Sequence, residues 1–149
     1  MLEFMRIQRF KTLLDASFPL AALNLFSGLN GMGKSSLIQT LLLLRQSYER
    51  NTLSTRGLLL KGDYVSLGTG QDALSEQAHD MTFDFLMKWE GSEPIRFHFA
   101  YAAQSDLQPV IEAIEISKPE ALSLFNRNFQ YLAADRISPK SSYEVSNYH

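Results

Sequence analysis

The chain of 149 residues contains no cysteine. That absence excludes a disulfide scaffold, a zinc site built on thiolates, a thiol nucleophile and an iron–sulfur cluster. It also lacks an excess of positive charge: fourteen Lys and Arg stand against sixteen Asp and Glu, a formal net charge of −2. A protein that lives by non-specific phosphate contacts is strongly basic, so charge gives no support to DNA as a partner. Long apolar runs are missing too. Leu41 to Leu44 is the longest aliphatic stretch, far short of a membrane span. The N-terminus, Met1-Leu2-Glu3-Phe4-Met5-Arg6, has no basic region followed by an apolar one, so a signal peptide is not expected. The three His are scattered without ligand spacing, and His79 and His98 read as packing or surface residues. No repeat or low-complexity segment occurs. A soluble cytoplasmic protein without a membrane partner is the expectation. What is present is ordinary globular material, 45% hydrophobic and 20% charged, at a length that suits one domain with a sizeable core.

Along the chain, Leu2 to Phe10 reads as a strand, and Ala16 to Leu20 as a short extended piece limited by Pro19. Leu23-Asn24-Leu25-Phe26 suits a buried strand that stops at Ser27-Gly28. The spacing of Leu37, Ile38, Leu41, Leu42 and Leu44 predicts a helix from Lys34 to Tyr48 with a broad apolar stripe. Glu49 to Arg56 is expected to be a surface loop. Apolar runs on either side of Gly62-Asp63 predict a hairpin over 57–68. Gln71 to Ala78 suits a short helix. Met81, Phe83, Phe85, Met87 and Trp89 alternate on one face of a strand, followed after Gly91-Ser92 by Ile95, Phe97, Phe99 and Tyr101 on a partner. Trp89 is therefore expected in the core rather than as a stacking platform for bases. Further strands are expected at Val110 to Ser117 and Phe129 to Ala133, with a short helix at Glu120 to Asn126.

One segment carries chemistry. Gly28-Leu29-Asn30-Gly31-Met32-Gly33-Lys34-Ser35 fits G-x-x-x-x-G-K-[ST], the phosphate-binding loop known as Walker A. The glycines let backbone N–H groups turn inward around a phosphate. A helix beginning near Gly33 offers unpaired N–H groups and the positive end of its dipole. Lys34 supplies a charge for the β- and γ-phosphates, Ser35 a hydroxyl for the Mg²⁺ that bridges them, and Ser36 a contact to the α-phosphate. The cofactor-binding candidates are thus Gly28, Asn30, Gly31, Met32, Gly33, Lys34, Ser35 and Ser36, with Ser35 as the metal ligand. ATP and Mg²⁺ are the implied cofactors. No Asn-Lys-x-Asp guanine-reading motif is present, which disfavours a GTPase. A small-substrate kinase would need a substrate site that the sequence does not reveal.

With these residues in view, the first 44 positions resemble the start of an ABC-type ATPase head of the RecF, SMC and OLD-like branch. The resemblance rests on Met5 to Phe10, the pair Phe10-Lys11, the stretch Phe18 to Leu23, and Gly28 to Leu37 with Asn30 and Ser35-Ser36-Leu37. Leu60 to Gly68 and Tyr131 to Pro139 are similar, more loosely, to bacterial AAA-type, OLD-like ATPases, several of them linked to phage defence. The resemblance implies an α/β P-loop NTPase fold. Residues 1–149 would be the N-terminal part of one head: strands, loop and helix at 1–48, a mostly antiparallel β-sheet subdomain at 57–117, and a C-terminal segment at 118–149. It implies that Lys11 reaches the nucleotide and that Gln71, after Gly68-Thr69-Gly70, is a Q-loop ligand of Mg²⁺. A solvated Lys11 and an ordinary helix-start Gln71 stand beside those roles.

Such heads also carry a Walker B strand, apolar residues followed by Asp-Glu, and a Ser-Gly-rich signature loop. Neither pattern occurs here. Asp135 follows Leu132-Ala133-Ala134, but Arg136 stands where the Glu belongs, so a catalytic Asp135 and a plain strand end are both open. Arg136 itself is a candidate phosphate or opposing-head contact. Two functions follow from the resemblance: an ATPase whose two heads close over ATP, or a nucleotide-dependent assembly module for a nuclease or effector partner with little hydrolysis. With part of the core lacking, Leu41 to Leu44 and the sheet edges are expected to be uncovered and to favour self-association.

Overall fold

The computed structural model describes residues 1–29 and 33–133. Its elements are β1 (Leu2–Phe10), β2 (Leu13–Pro19), α1 (Lys34–Glu49), β3 (Gly57–Leu59), α2 (Gly70–Ala73), β4 (Thr82–Trp89), β5 (Ile95–Ala100) and β6 (Leu107–Pro109), then a 3₁₀ turn at Pro119–Ala121. The architecture is mixed α/β. One four-stranded antiparallel sheet has the order β2-β1-β4-β5, and β3 pairs with β6 in a second, two-stranded one.

Alternation in β1, β4 and β5 places the core. Ile7 pairs with Phe85 and Phe85 with Phe97, while Met5 pairs with Met87 and Met87 with Ile95. Side chains of directly paired residues lie on the same face of a sheet. Phe83, Phe85, Met87, Trp89, Phe97 and Phe99 are consequently fully buried. Leu37, Leu43 and Leu44 of α1 join the same apolar cluster. Burying one such side chain contributes roughly 1.5–3 kcal/mol. Phe10 meets Phe85 edge-on, with centroids 5.8 Å apart, at the end of β1 nearest the Gly-rich loop. The expected meander is β4–β5, and its pairing with β1 merges it with the first two strands.

The opposite face carries polar residues in most of the alternate positions: Gln8 beside Asp84 beside His98, and Arg6 and Arg96 on either side of the apolar Leu86. Asp84, only 5% exposed, accepts two hydrogen bonds from Arg96 at 2.8 and 2.7 Å and one from Arg9 at 3.3 Å, with His98 at 3.5 Å. Burial pushes its carboxyl up, but the Arg96 hydrogen bonds and the charges of His98, Arg96 and Arg9 outweigh this and hold it below the ordinary carboxylate range. The linkage follows in sign. A folded-state value below the unfolded value, about 3.9, means that the unfolded chain takes up the proton first. The stabilisation is complete above that value and is lost as pH falls through the folded one. Urea melts between pH 6 and 3 are expected to show a falling midpoint, and Asp84→Ala a shallower fall; equal slopes would rule the cluster out as a contributor.

Several expectations are corrected. Leu23 to Phe26 form no strand, and Leu23 and Leu25 are 89% and 91% exposed. Among the described residues no strand lies alongside to supply ladder hydrogen bonds. Asn24 instead closes a local turn, donating to the Ala21 carbonyl at 2.8 Å and accepting from its N–H at 2.9 Å. In 57–68 the hairpin forms but is short: Lys61 bridges Ser66 antiparallel, the Leu67 N–H bonds the Leu60 carbonyl at 2.8 Å and the Gly62 N–H the Val65 carbonyl, while residues 57–59, as β3, pair with β6. The expected helix at 71–78 stops at Ala73, because Leu74 bridges Phe10 and the Ser75 N–H bonds the Arg9 carbonyl. Val110 makes a single bridge to Phe99 in place of a strand over 110–117. Phe129 and Tyr131 pack edge-on against Tyr64 without forming a strand, and 120–126 holds the end of the 3₁₀ turn and one further turn, in which the Phe125 and Asn126 N–H groups both bond the Leu122 carbonyl, rather than a helix. The loop 49–56 is not wholly surface, since Thr52 and Leu53 are buried beneath the end of α1. Leu42, Leu43 and Leu44 are buried too, not uncovered. Leu122, Leu124 and Phe125 enter their cluster, and Arg45 pins that segment by donating to the Leu124 and Asn126 carbonyls at 2.9 Å.

Candidate functional site

The candidate site forms where the β1–β2 turn meets the start of α1. Phe10 pairs with Leu13, leaving Lys11 and Thr12 as a two-residue turn. Lys11 takes the left-handed backbone that such a turn requires, φ +50°, and its N–H donates to the Ala73 carbonyl at 2.8 Å. The turn is thereby fixed from behind by α2.

Gly33 precedes α1 with φ +91°, a conformation that opposes any side chain, and an added Cβ there would lie 2.5 Å from a methyl group of Leu13. The first intrahelical bond runs from Leu37 N–H to the Gly33 carbonyl at 3.0 Å. No side chain caps the helix and its first turn holds no acidic residue. The orphan N–H groups and the positive dipole end thus face the loop without a side-chain anion. Lys34 reaches back over the loop and donates to the Gly28 carbonyl. Gly28 has φ +154°, with open space where a Cβ would stand. Ser35 is exposed and Ser36 is buried.

Lys11, Thr12, Gly33, Lys34, Ser35, Ser36 and Gln39 line one cavity of about 370 Å³. Two ammonium groups, three hydroxyls and an amide converge there, with no carboxylate among the described lining residues. That donor set fits a phosphate group, and the Ser35 hydroxyl fits a hard cation that prefers oxygen ligands. Across the Lys11-Thr12 turn lies a second cavity, of about 590 Å³, lined in part by Gln71, Asp72, Ser75 and Glu76. Gln71 is exposed, and its side-chain oxygen accepts from Gln104 at 3.3 Å. The turn therefore separates Gln71 from the cavity at Lys34, although Lys11 borders both. Asp72 is held below the ordinary carboxylate range chiefly by the Thr69 N–H that it accepts at 2.8 Å. Asn30, Gly31, Met32, Asp135 and Arg136 lie outside the described residues.

Two lining residues were not anticipated, Thr12 and Gln39. The signal for Gln39 was its spacing, one helical turn after Ser35 and so on the same face. Thr12 had only its adjacency to Lys11. His79 is exposed, and His98 belongs to the Asp84 cluster on the outer face of the sheet. Trp89 is buried in the core, as its strand pattern predicts.

No family model, no curated protein and no solved structure matches the chain. Among the described residues no helix is long and apolar enough to cross a membrane.

Proposed function

We propose that this chain binds Mg-ATP through the loop 28–36, as the N-terminal part of a P-loop NTPase head of the ABC type. The reading is carried by one observation. The G-x-x-x-x-G-K-S segment ends at a helix start that no side chain caps, beside a cavity whose described lining holds two lysines, three hydroxyls and no acid. In this reading Lys34 leaves the Gly28 carbonyl for the phosphates, Lys11 approaches them from the β1–β2 turn, and the Ser35 hydroxyl ligates Mg²⁺. Bound Mg²⁺ supplies charge neutralisation on the phosphate oxygens.

Titration calorimetry with Mg-ATP and with metal-free ATP tests this. Saturable binding of Mg-ATP is expected, and its absence would overturn the proposal. Ser35→Ala is expected to lower affinity more for Mg-ATP than for ATP in EDTA, since the lost hydroxyl is assigned to the metal. An equal loss in both titrations would remove Ser35 from the metal.

In the full-length protein the proposed activity is ATP hydrolysis driving closure of an ATP-bridged pair of heads. Hydrolysis needs a group to position the attacking water. Among the described residues the cavity lining has no carboxylate for that task, and this supports a second reading, a nucleotide-dependent assembly module in which ATP locks a nuclease or effector partner. Neither reading expects phosphate release above background from the 149-residue chain alone. An Asp-Glu pair on a later apolar strand of the full-length protein would favour the ATPase, and neutral residues in its place the assembly module. Turnover abolished by Lys34→Ala would favour the ATPase, and Asp135 would be the first carboxylate to replace.

A further inference from the structure

We infer that Leu13 is a positioning residue for the phosphate cradle: its side chain, seated against Gly33, sets where the start of α1 stands relative to Lys11 and Thr12. This rests on the ATP reading above. Helix starts are commonly fixed by an N-cap side chain that bonds a first-turn N–H. Gly33 holds that place in α1 and has no side chain to offer. Its carbonyl takes the Leu37 N–H at 3.0 Å, which ties it to its own helix and not to the sheet. The contact with the sheet is apolar. A Cβ built on Gly33 would lie 2.5 Å from Cδ2 of Leu13, 3.3 Å from its Cγ and 3.4 Å from Oγ1 of Thr12. Leu13 thus fills the space where any other residue would carry its side chain. A glycine, here with φ +91°, lets the two segments come that near.

What stands behind Leu13 is anchored. It pairs with Phe10 across the Lys11-Thr12 turn and joins the same core cluster. Phe10 is fully buried and meets Phe83 and Phe85 edge-on. The turn itself is tied to α2 through the Lys11 N–H and the Ala73 carbonyl. One wall of the cavity is therefore held by the core, and the helix start is set against it. The donors come from both walls, Lys11 and Thr12 from one, Lys34, Ser35 and Ser36 from the other. A phosphate that takes hydrogen bonds from both needs a fixed separation, because such bonds weaken outside a narrow range of distance and angle. A cradle already set at that separation has less ordering left to do when the ligand arrives. Leu13 is 9% exposed, carries no polar group and does not line the cavity, so it acts through Gly33 rather than by touching the phosphates.

The test uses the 149-residue chain with Leu13→Ala, Leu13→Met and a control, Leu58→Ala. Leu58 is fully buried in β3, whose Leu59 N–H bonds the Ser47 hydroxyl at 2.8 Å near the far end of α1. Thermal melts give stability, and calorimetry with Mg-ATP, at a temperature where every variant is folded, gives affinity. Both alanine variants should melt below wild type, since each empties a buried site. Leu13→Ala is expected to bind Mg-ATP at least about fivefold more weakly, the scale of one hydrogen bond. Leu58→Ala should stay within about twofold of wild type, however much stability it loses. Leu13→Met, which keeps most of the volume, should also stay within about twofold. Wild-type affinity in Leu13→Ala would overturn the role of Leu13 and leave the ATP reading standing. So would an equal loss in Leu58→Ala, which would trace the effect to general stability, or a loss in Leu13→Met as large as in Leu13→Ala. Should Leu13→Ala not fold, Leu13→Val against Leu58→Val carries the same comparison, with about threefold expected for the first and no change for the second. A wild-type chain that does not bind Mg-ATP would overturn both readings.

Discussion

Replacing Lys34 with alanine is expected to abolish ATP binding or to weaken it at least tenfold. Charge-assisted hydrogen bonds are worth about 1.5–3 kcal/mol each, and about 1.4 kcal/mol is one factor of ten in affinity. In the structure this ammonium rests on the Gly28 carbonyl, on the exposed side of the loop. Water can replace that contact, so the fold should be little affected, with a stability change within about 0.5 kcal/mol. The two effects separate cleanly. A melting temperature near that of wild type, with Mg-ATP binding lost in calorimetry, is the expected pair of results. Equal affinity in wild type and Lys34→Ala would remove the phosphate assignment from the loop altogether. Lys34→Arg is a useful companion. It keeps the charge but replaces a compact ammonium with a planar fork, so partial recovery would show that charge counts and full recovery that shape does not.

Trp89→Ala carries the largest expected cost in stability. The ring is fully buried at the end of β4, tilted against Phe125 with centroids 5.9 Å apart, and its indole N–H donates to the Ser123 hydroxyl at 3.3 Å. Emptying such a site costs roughly 3–5 kcal/mol, partly for lost apolar burial and partly for the cavity left behind. Domains are stable by only about 5–15 kcal/mol, so a large share of the total is at stake. The melting temperature should drop by roughly 10 °C, at about 2–4 °C per kcal/mol for a chain of this size. Trp89→Phe should lose much less, because Ser123 can turn its hydroxyl elsewhere while the ring volume is mostly kept. Urea unfolding followed by far-ultraviolet circular dichroism measures both. A loss below about 1 kcal/mol for Trp89→Ala would mean that the β4 face is not the packed centre of the molecule. The same measurement bears on the segment 122–125, which reaches the core through this residue and through Phe97 and Phe125, 6.2 Å apart.

The sequence was most legible where one periodicity ran unbroken. α1, β4 and β5 each follow from a pattern of several apolar residues at spacing 2 or at helical spacing, β1 follows from a more mixed alternation, and each lies within a residue or two of its expected bounds. Short apolar runs were legible only as apolar. Leu23 to Phe26 and Phe129 to Ala133 look like strands by composition, but a strand needs a neighbour to receive its N–H and C=O groups. Leu58 and Leu60 show the converse. They are buried as their run predicts; Leu60 meets the adjacent run through Leu67, but Leu58, in β3, pairs with the distant β6. Pairing across a separation of that kind depends on where the rest of the chain has already packed.

For the candidate site the division has a similar cause. The amino-acid sequence by itself determined the Gly-rich loop, the lysine and two serines that open α1, and the face of β4 and β5 that makes the core. These depend on local spacing, on the φ angles open to glycine and on side-chain chemistry, all of which the chain carries wherever it folds. Tertiary structure alone decided that Lys11 and Thr12 close one wall of the cavity, and that Gln71 stands on the far side of that turn. Those facts depend on the β1–β2 turn being anchored to α2 through Lys11 and Ala73, a contact between residues sixty-two positions apart whose hydrogen bond no local pattern encodes.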